Sequence, residues 1–256
     1  MASDSPDVQI YELKRMDLKG ATVIDGFPSV GLVSSIAANY IINALELEQI
    51  AIMDSPYFPT VSLIRDSRPY NPVRIYASQK KGPNNEQVVV FISEFQPPPN
   101  LIKPIASAIL DWSEDQKCSL LVSPEGLVLD IEDGEEEAEE VYGIASTDAA
   151  RKILDGAEIH GFEEGVITGV AGVLLNEGKR RDFDVITLLA EAHPDYPDAR
   201  AAGNIIKLLD KMFLHIDIDA QPLFAEAEKI ENEIKSINKA AAPRDKKSSP
   251  NSSMYI

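Results

Sequence analysis

The sequence ATVIDGFPSVGLVSSIAANYIINAL, residues 21–45, decides the fold because it holds the three parts of a βα unit. Residues 21–25 are a short run rich in β-branched side chains, which favours a strand. Residues 26–31 carry a glycine at each end and a proline between them, which is typical of a turn. From residue 32 to residue 45, apolar side chains recur at three- and four-residue steps, the period of an amphipathic helix. The stretch therefore predicts a strand, a glycine turn and a helix, in that order.

Strands and helices continue to alternate along the rest of the chain. Short apolar runs predict strands at residues 8–13, 50–53, 74–78, 87–92, 118–122, 141–145, 165–169 and 184–190. Helical spacing predicts helices at 101–112, 147–154, 197–213 and 219–238, and a further helix that begins at 173–177. Ser146 or Thr147 caps the helix at 147–154. Residues 123–126 close the strand predicted at 118–122. This order predicts an α/β fold around a mainly parallel mixed sheet, with ligand-binding loops at the carboxyl ends of the strands.

The chain divides into three predicted parts. Residues 1–217 form the α/β domain, and residues 218–239 form a C-terminal helix that packs on the domain or on a second copy of itself. Residues 240–256 are polar and rich in proline and serine, and they lack apolar periodicity, which predicts a flexible tail. Residues 130–140 are strongly acidic and predict a solvated loop whose role is open.

Charge and composition exclude several classes of partner. The formal net charge of −18 disfavours nucleic acid and anionic membrane surfaces, whose phosphates would be repelled. The first residues have neither a basic segment nor an apolar one, so we expect no signal peptide, and no apolar run reaches the length of a membrane span. The single cysteine, Cys118, lies in an apolar run and is interpreted as a small buried hydrophobe. These features predict a cytoplasmic protein.

The motifs of common enzyme sites are incomplete. The pair Gly26 and Gly31 has the outline of a phosphate loop, but Leu32 and Val33 stand where lysine and serine or threonine would bind phosphate and magnesium. The glycine-rich residues 165–172 do not match a dinucleotide fingerprint either. We therefore interpret these glycines as sites of tight turns or close helix–sheet packing, in preference to an anion-binding nest.

Residues that could hold a metal or perform catalysis do not form a recognisable pattern. The three histidines, His160, His193 and His215, lack the spacing of a zinc motif, and no serine-hydrolase elbow occurs. Helix capping and solubility explain the carboxylates near the last predicted strand more simply than a carboxylate site does; they are Asp182, Asp184, Glu191, Asp195 and Asp198. The sequence predicts no catalytic residue, no cofactor and no metal.

The last three residues have the chemistry of a short peptide ligand. Met254 is apolar, Tyr255 offers a rigid ring with a polar tip, and Ile256 carries the terminal carboxylate. A partner can capture such a carboxylate in a backbone nest or with a lysine. Taken alone, an ending of this kind is more often an ordinary frayed terminus than a ligand.

Four stretches together resemble the proteasome assembly chaperone 2 family, in its archaeal-type branch. They are GFPSVGLV (26–33), SEFQPPP (93–99), GVITGVAGVL (165–174) and EAHPDYPDARAA (191–202). The resemblance implies a nucleoside-phosphorylase-like α/β domain without that enzyme's working residues. It also implies that Met254, Tyr255 and Ile256 are a hydrophobic-Tyr-any-residue motif that inserts between α-subunits of the proteasome. Members form homo-oligomers, and the apolar face of the helix at 219–238 is our candidate for part of the interface.

Three functions follow as alternatives. The first is a chaperone or adaptor that binds the proteasome α-ring through its tail, and it is not an enzyme. The second is a nucleoside- or amide-processing hydrolase that uses the loops at 95–100 and 165–172; convergent carboxylates in a polar pocket would favour it. A pocket lined by Phe58, Phe95 and prolines, with no titratable pair, would count against that enzyme. The third is a structural oligomer with an inert tail.

Overall fold

The protein is described by a computed structural model that covers residues 8–79, 86–128 and 140–225. The strands are β1 (Gln9–Glu12), β2 (Thr22–Gly26), β3 (Glu48–Asp54), β4 (Leu63–Arg65), β5 (Arg68–Tyr70), β6 (Val73–Ala77), β7 (Val88–Ser93), β8 (Leu120–Leu127), β9 (Val141–Ala145), β10 (His160–Gly161) and β11 (Val185–Glu191). The helices are α1 (Val33–Ala44), α2 (Pro99–Asp115), α3 (Asp148–Gly156), α4 (Gly169–Arg181) and α5 (Ala199–Leu209). The α/β fold predicted from the sequence is confirmed.

Nine strands form one mixed sheet in the order β1-β3-β6-β7-β2-β8-β11-β9-β10. Its centre, β7-β2-β8-β11, is parallel, and antiparallel pairs flank it on both sides. Because helices cover both faces of this centre, its strands are largely apolar, and all six residues of β7 are buried. One face packs against α1 and α5, and the other packs against α2 and α4.

Glycines in the opening βα unit serve close packing, as the sequence predicts. A Cβ on Gly26 would lie 2.4 Å from the Cβ of Ala38 in α1 and 2.6 Å from the carbonyl oxygen of Phe91 in β7. Only a glycine lets α1 and β7 approach the end of β2 so closely. The helix cap was also predicted correctly: Thr147 accepts a hydrogen bond from the backbone N–H of Ala150 and starts α3.

The prediction that residues 123–126 close a strand is wrong. β8 continues to Leu127 because it pairs with β11 from Leu121 to Leu127. Pro124 has no N–H to donate, yet it fits here because the ladder from β8 to β2 ends at Val122. The longer strand carries Glu125 and Gly126 to the carboxyl edge of the sheet.

The prediction of a strand at 165–169 is also wrong. These residues form a loop, and α4 begins at Gly169, earlier than the predicted start. A Cβ on Gly172 would lie 2.3 Å from the carbonyl oxygen of Ile167, so the glycine lets the loop fold against the first turn of the helix. The β-branched residues there are largely exposed; Val166 has 84% of its surface exposed.

The C-terminal part is described only as far as residue 225. The long helix predicted at 197–213 consists of α5 followed by a π-helical turn at Asp210–Leu214. Residues 221–225 are helical, and Leu223 is buried in the core shared by α1 and α5. The rest of the helix predicted at 219–238, the tail at 240–256 and nearly all of the acidic stretch at 130–140 lie outside the described residues. Among the helices that are described, none combines the length and apolar character needed to cross a bilayer.

Candidate functional site

The loops that carry the chain's distinctive sequences converge at the carboxyl edge of the sheet. The parallel centre places the ends of β2, β7, β8 and β11 side by side at this edge. Helices α2 and α4 follow loops at the same edge, so each starts there. The motif stretches 26–33, 93–99, 165–174 and 191–202 therefore border one region, although they are far apart in sequence.

The turn after β2 is held by hydrogen bonds and by close backbone contacts. The hydroxyl of Ser34 donates to the carbonyl of Phe27 at 2.6 Å, which fixes the turn against the start of α1. Gly31 has φ 59°, a left-handed conformation that glycine adopts without strain. A Cβ on Gly126 would lie 2.2 Å from the carbonyl oxygen of Val30, so the end of β8 touches this turn directly.

Asp198 ties the turn after β11 to the turn after β2. It is buried, and its backbone N–H donates to the carbonyl of Gly31 at 2.7 Å. Its carboxylate accepts from the backbone N–H of Ala201 at 2.9 Å, which caps α5, and from the backbone N–H of His193 at 3.0 Å. The His193 ring lies 3.0 Å from the same carboxylate and stacks on Tyr196. Helix capping, the interpretation given from sequence, is confirmed for Asp198.

A row of polar side chains crosses the floor of this region. The hydroxyl of Ser123 in β8 donates to the Asp25 carboxylate in β2 at 2.8 Å, and Thr187 of β11 lies in register beside Ser123. All three side chains are buried. Asp25 also accepts from the backbone N–H of Phe27. The Thr187 hydroxyl has no hydrogen-bond partner within the described parts of the chain.

Burial alters the acidity of the two carboxyls at the end of this row. Burial raises the pKa of Asp25 from 3.8 to about 6, although the hydrogen bonds from Ser123 and Phe27 act in the opposite direction. Glu125 lies two residues beyond Ser123 and therefore on the same face of β8. Burial, and after it the charge of Asp25, raises the pKa of Glu125 well above its ordinary value. The Glu125 carboxyl forms no hydrogen bond to any described residue.

Glu125 faces a cleft of about 290 Å³ between the turn after β2 and the starts of α2 and α4. The cleft is lined by Phe27, Pro28, Ser29, Val30, Gln96, Pro97, Ile102, Glu125, Thr168, Gly169 and Val170. Phe58 and Phe95 contact each other with ring centroids 5.1 Å apart and are not part of this lining. The cleft thus has mostly apolar walls with one carboxyl in them and a second carboxyl beneath.

The residues singled out from sequence have different outcomes. Met254, Tyr255 and Ile256, the predicted partner-binding residues, lie outside the described part of the chain. Burial raises the pKa of the Cys118 thiol to about 12, so the thiol remains protonated, as expected of a small buried hydrophobe. Within residues 8–79, 86–128 and 140–225, no three His, Cys, Asp or Glu side chains come together as metal ligands would.

Sequence reasoning missed Asp25, Ser123, Thr187 and Glu125. Each is a polar residue within or at the end of an apolar strand, which was the available signal. Their proximity depends on which strands are neighbours and in what register, and these features are not written in any one local pattern.

The carboxyl pair meets one condition set for the enzyme alternative. The cleft lining contains no histidine or cysteine to act with it as base or nucleophile.

Comparisons with known proteins agree with one another. The PAC2 family model matches residues 23–238. An uncharacterized protein from Methanocaldococcus jannaschii is 30% identical over 250 residues, which cover 97% of this chain and 98% of the relative. The crystal structure of Pyrococcus furiosus PbaA, an archaeal homolog of proteasome-assembly chaperone, is similar with a TM-score of 0.78 and 32% identity, over 91% of this chain and 92% of that one.

A second Pyrococcus furiosus structure shows the likeness of fold alone. PbaB, an archaeal proteasome activator, has a TM-score of 0.77 over 91% of this chain and 99% of its own, at 24% identity. The family match spans most of the sequence, and the relatives match over nearly their full lengths, so the likeness extends well beyond shared motifs. On this evidence the chain belongs to the PAC2 family.

Proposed function

We propose that this protein is a cytoplasmic proteasome assembly chaperone or adaptor, without catalytic activity, that binds proteasome α-subunits through Met254, Tyr255 and Ile256. The observation that carries the proposal is the 32% identity to PbaA, an archaeal homolog of proteasome-assembly chaperone, over 91% of this chain. The tripeptide supplies the contact chemistry: an apolar anchor, an amphipathic ring and a carboxylate.

Binding by one tail is weak in this proposal. Three residues bury little surface, and ordering a polar tail costs conformational entropy. A homo-oligomer overcomes this limit because, once one tail is bound, the others face the ring at high effective concentration. Avidity of this kind exceeds the affinity of a single arm by about 10²–10⁴ when the geometry lets several arms engage together. The protein is accordingly proposed to act as a homo-oligomer.

Binding of the full-length protein to an immobilised ring of purified proteasome α-subunits tests the proposal. Tyr255→Ala and deletion of residues 254–256 are each expected to lower the affinity by at least about tenfold, since both remove the anchor. Ser253→Ala changes the adjacent tether residue and is expected to leave the affinity unchanged. One glycine added after Ile256 moves the carboxylate away from its pocket and is expected to weaken binding as Tyr255→Ala does.

Circular dichroism and the elution volume of each variant establish that folding and assembly are retained. The proposal is refuted if the truncated and the intact proteins bind the ring equally well. Sensitivity to the tail also separates this proposal from that of a structural oligomer with an inert tail.

A further inference from the structure

A second binding site is indicated by the cleft at the carboxyl edge of the sheet. Its volume of about 290 Å³ lies just below the usual range for ligand pockets, about 300–1,000 Å³, and suits a small metabolite better than a cofactor. Its position, beside the ends of the central parallel strands, is where α/β folds usually bind ligands. The residues that line it are separate in sequence from the tail residues 254–256 proposed to bind the proteasome.

The cleft presents a carboxyl without a hydrogen-bond partner among residues 8–79, 86–128 and 140–225. Glu125 lines the cleft, is half-buried, and makes no hydrogen bond to a described residue. Asp25 lies beneath it, fully buried, so a second acidic group is close to Glu125. Buried carboxyls are usually paired with a cation or with hydrogen-bond donors. The ammonium group of a ligand is a cation and also carries N–H donors, so it can pair with such a carboxyl in both ways.

A second feature faces the same space. Thr168, Gly169 and Val170, at the start of the 13-residue helix α4, line the same cleft as Glu125. Thr168 precedes α4 without capping it through its side chain. Free backbone N–H groups and the helix dipole favour a negative group at this position. The cleft therefore offers a place for a positive group and a place for a negative group.

The remaining walls select for an apolar substituent. Phe27 and Val170 are buried, and Ile102 and Pro97 complete a surface without charge. Of the described residues in the lining, Glu125 alone is titratable. The Thr187 hydroxyl, buried and unpartnered within the described chain, lies on the same face of the sheet but is not part of the cleft lining.

We propose that this cleft binds a free α-amino acid with an apolar side chain, whose ammonium group pairs with Glu125 and whose carboxylate faces the start of α4. Three probes with the same branched alkyl group separate the contributions. L-Leucine carries both charges, isoamylamine carries only the ammonium group, and 4-methylpentanoate carries only the carboxylate. Isothermal titration calorimetry on the full-length protein is expected to rank L-leucine above isoamylamine and to detect no binding of 4-methylpentanoate.

Glu125→Gln is the informative variant because it keeps the size of the side chain and removes its charge. It is expected to weaken L-leucine binding by at least about tenfold. Glu46→Gln, at an exposed position after α1, is the matched control and is expected to bind as the parent does. Because an ammonium group binds the ionised carboxyl, and the pKa of Glu125 lies well above its ordinary value, affinity is also expected to rise with pH in the parent; the rise is expected to be smaller in Glu125→Gln, where Asp25 beneath the cleft still titrates.

Several results would overturn the proposal. One is the absence of L-leucine binding at millimolar concentration. Another is equal affinity in Glu125→Gln, or tighter binding of 4-methylpentanoate than of isoamylamine. If isoamylamine bound as tightly as L-leucine, the proposed contact between the ligand carboxylate and the start of α4 would be refuted. The protein lacking residues 254–256 is expected to bind L-leucine normally, so failure of this site and failure of the tail proposal are separate outcomes.

Discussion

Replacing Asp25 by asparagine is expected to stabilise the protein at alkaline pH and to leave its stability unchanged in acid. Asp25 is 1% exposed, and burial raises its pKa from 3.8 to about 6. A raised pKa means that ionisation is harder in the folded protein than in the unfolded chain. Below about pH 4, Asp25 therefore does not lower the unfolding free energy. The loss of unfolding free energy grows as the pH rises and is complete above about pH 6.

The size of this cost follows from the two pKa values. The difference between 3.8 and about 6 corresponds to about 3 kcal/mol of unfolding free energy. Asparagine keeps both contacts. Its side-chain oxygen accepts from the Phe27 N–H, and its NH₂ group donates to the Ser123 hydroxyl, which accepts this bond instead of donating as it does to Asp25. We expect Asp25→Asn to be more stable than the parent by about 1–3 kcal/mol at pH 8, and equal to it within about 0.5 kcal/mol at pH 4.

Urea denaturation followed by tryptophan fluorescence measures this difference, because Trp112 is the sole tryptophan and contacts Phe91 in the core on the Asp25 side of the sheet. Asp17→Asn is the matched control: Asp17 accepts a similar bond from a backbone N–H two residues ahead but is exposed. It is expected to change stability by less than about 0.5 kcal/mol at either pH. A gain for Asp25→Asn that is the same at both pH values, or a loss at pH 8, would refute the reasoning.

Two further substitutions test the packing at the carboxyl edge. Gly126→Ala places a Cβ 2.2 Å from the carbonyl oxygen of Val30 and is expected to lower the unfolding free energy by at least about 2 kcal/mol in the same urea titration. Gly156→Ala in α3, where the space around the new Cβ is open, is the control and is expected to be neutral or stabilising. Asp198→Ala removes the cap of α5 and the contacts to the backbone N–H and the ring of His193. Its loss of about 2 kcal/mol is therefore expected to exceed that of Thr147→Ala, which removes the cap of α3 and one bond to the side chain of Asp184; equal losses would contradict this assignment.

Much of the fold can be predicted from local sequence, because the period of the apolar residues distinguishes strands from helices. The opening βα unit is an example: the β-branched run, the glycine turn and the helix appear where the pattern places them. The exceptions arose where tertiary pairing outweighed local signals. Pro124 lies within β8 because β11 holds that strand in register, although a proline normally argues for its end.

The carboxyl-edge site was beyond local prediction for a different reason. Asp25 and Glu125 are a hundred residues apart, and their coupling exists only because β8 lies next to β2 in the sheet. Register and strand order depend on the whole fold, so a single polar residue in an apolar strand cannot disclose its partner. The predicted tail residues had the opposite character: their chemistry is entirely local, and it was therefore visible in the sequence.

Packing explains some features of the carboxyl edge and leaves others without a structural reason. Gly126 permits a close backbone contact, and Asp198 caps a helix while joining two turns. The carboxyls of Asp25, which is buried, and of Glu125, which lines the cleft, do neither, and ionisation of the first is expected to cost about 3 kcal/mol at neutral pH. Departures from stable packing of this kind are expected at functional sites. If Asp25→Asn gains stability and binds the α-subunit ring as the parent does, Asp25 is not needed for the proposed tail contact, which is the result expected if the carboxyl pair serves the proposed ligand cleft.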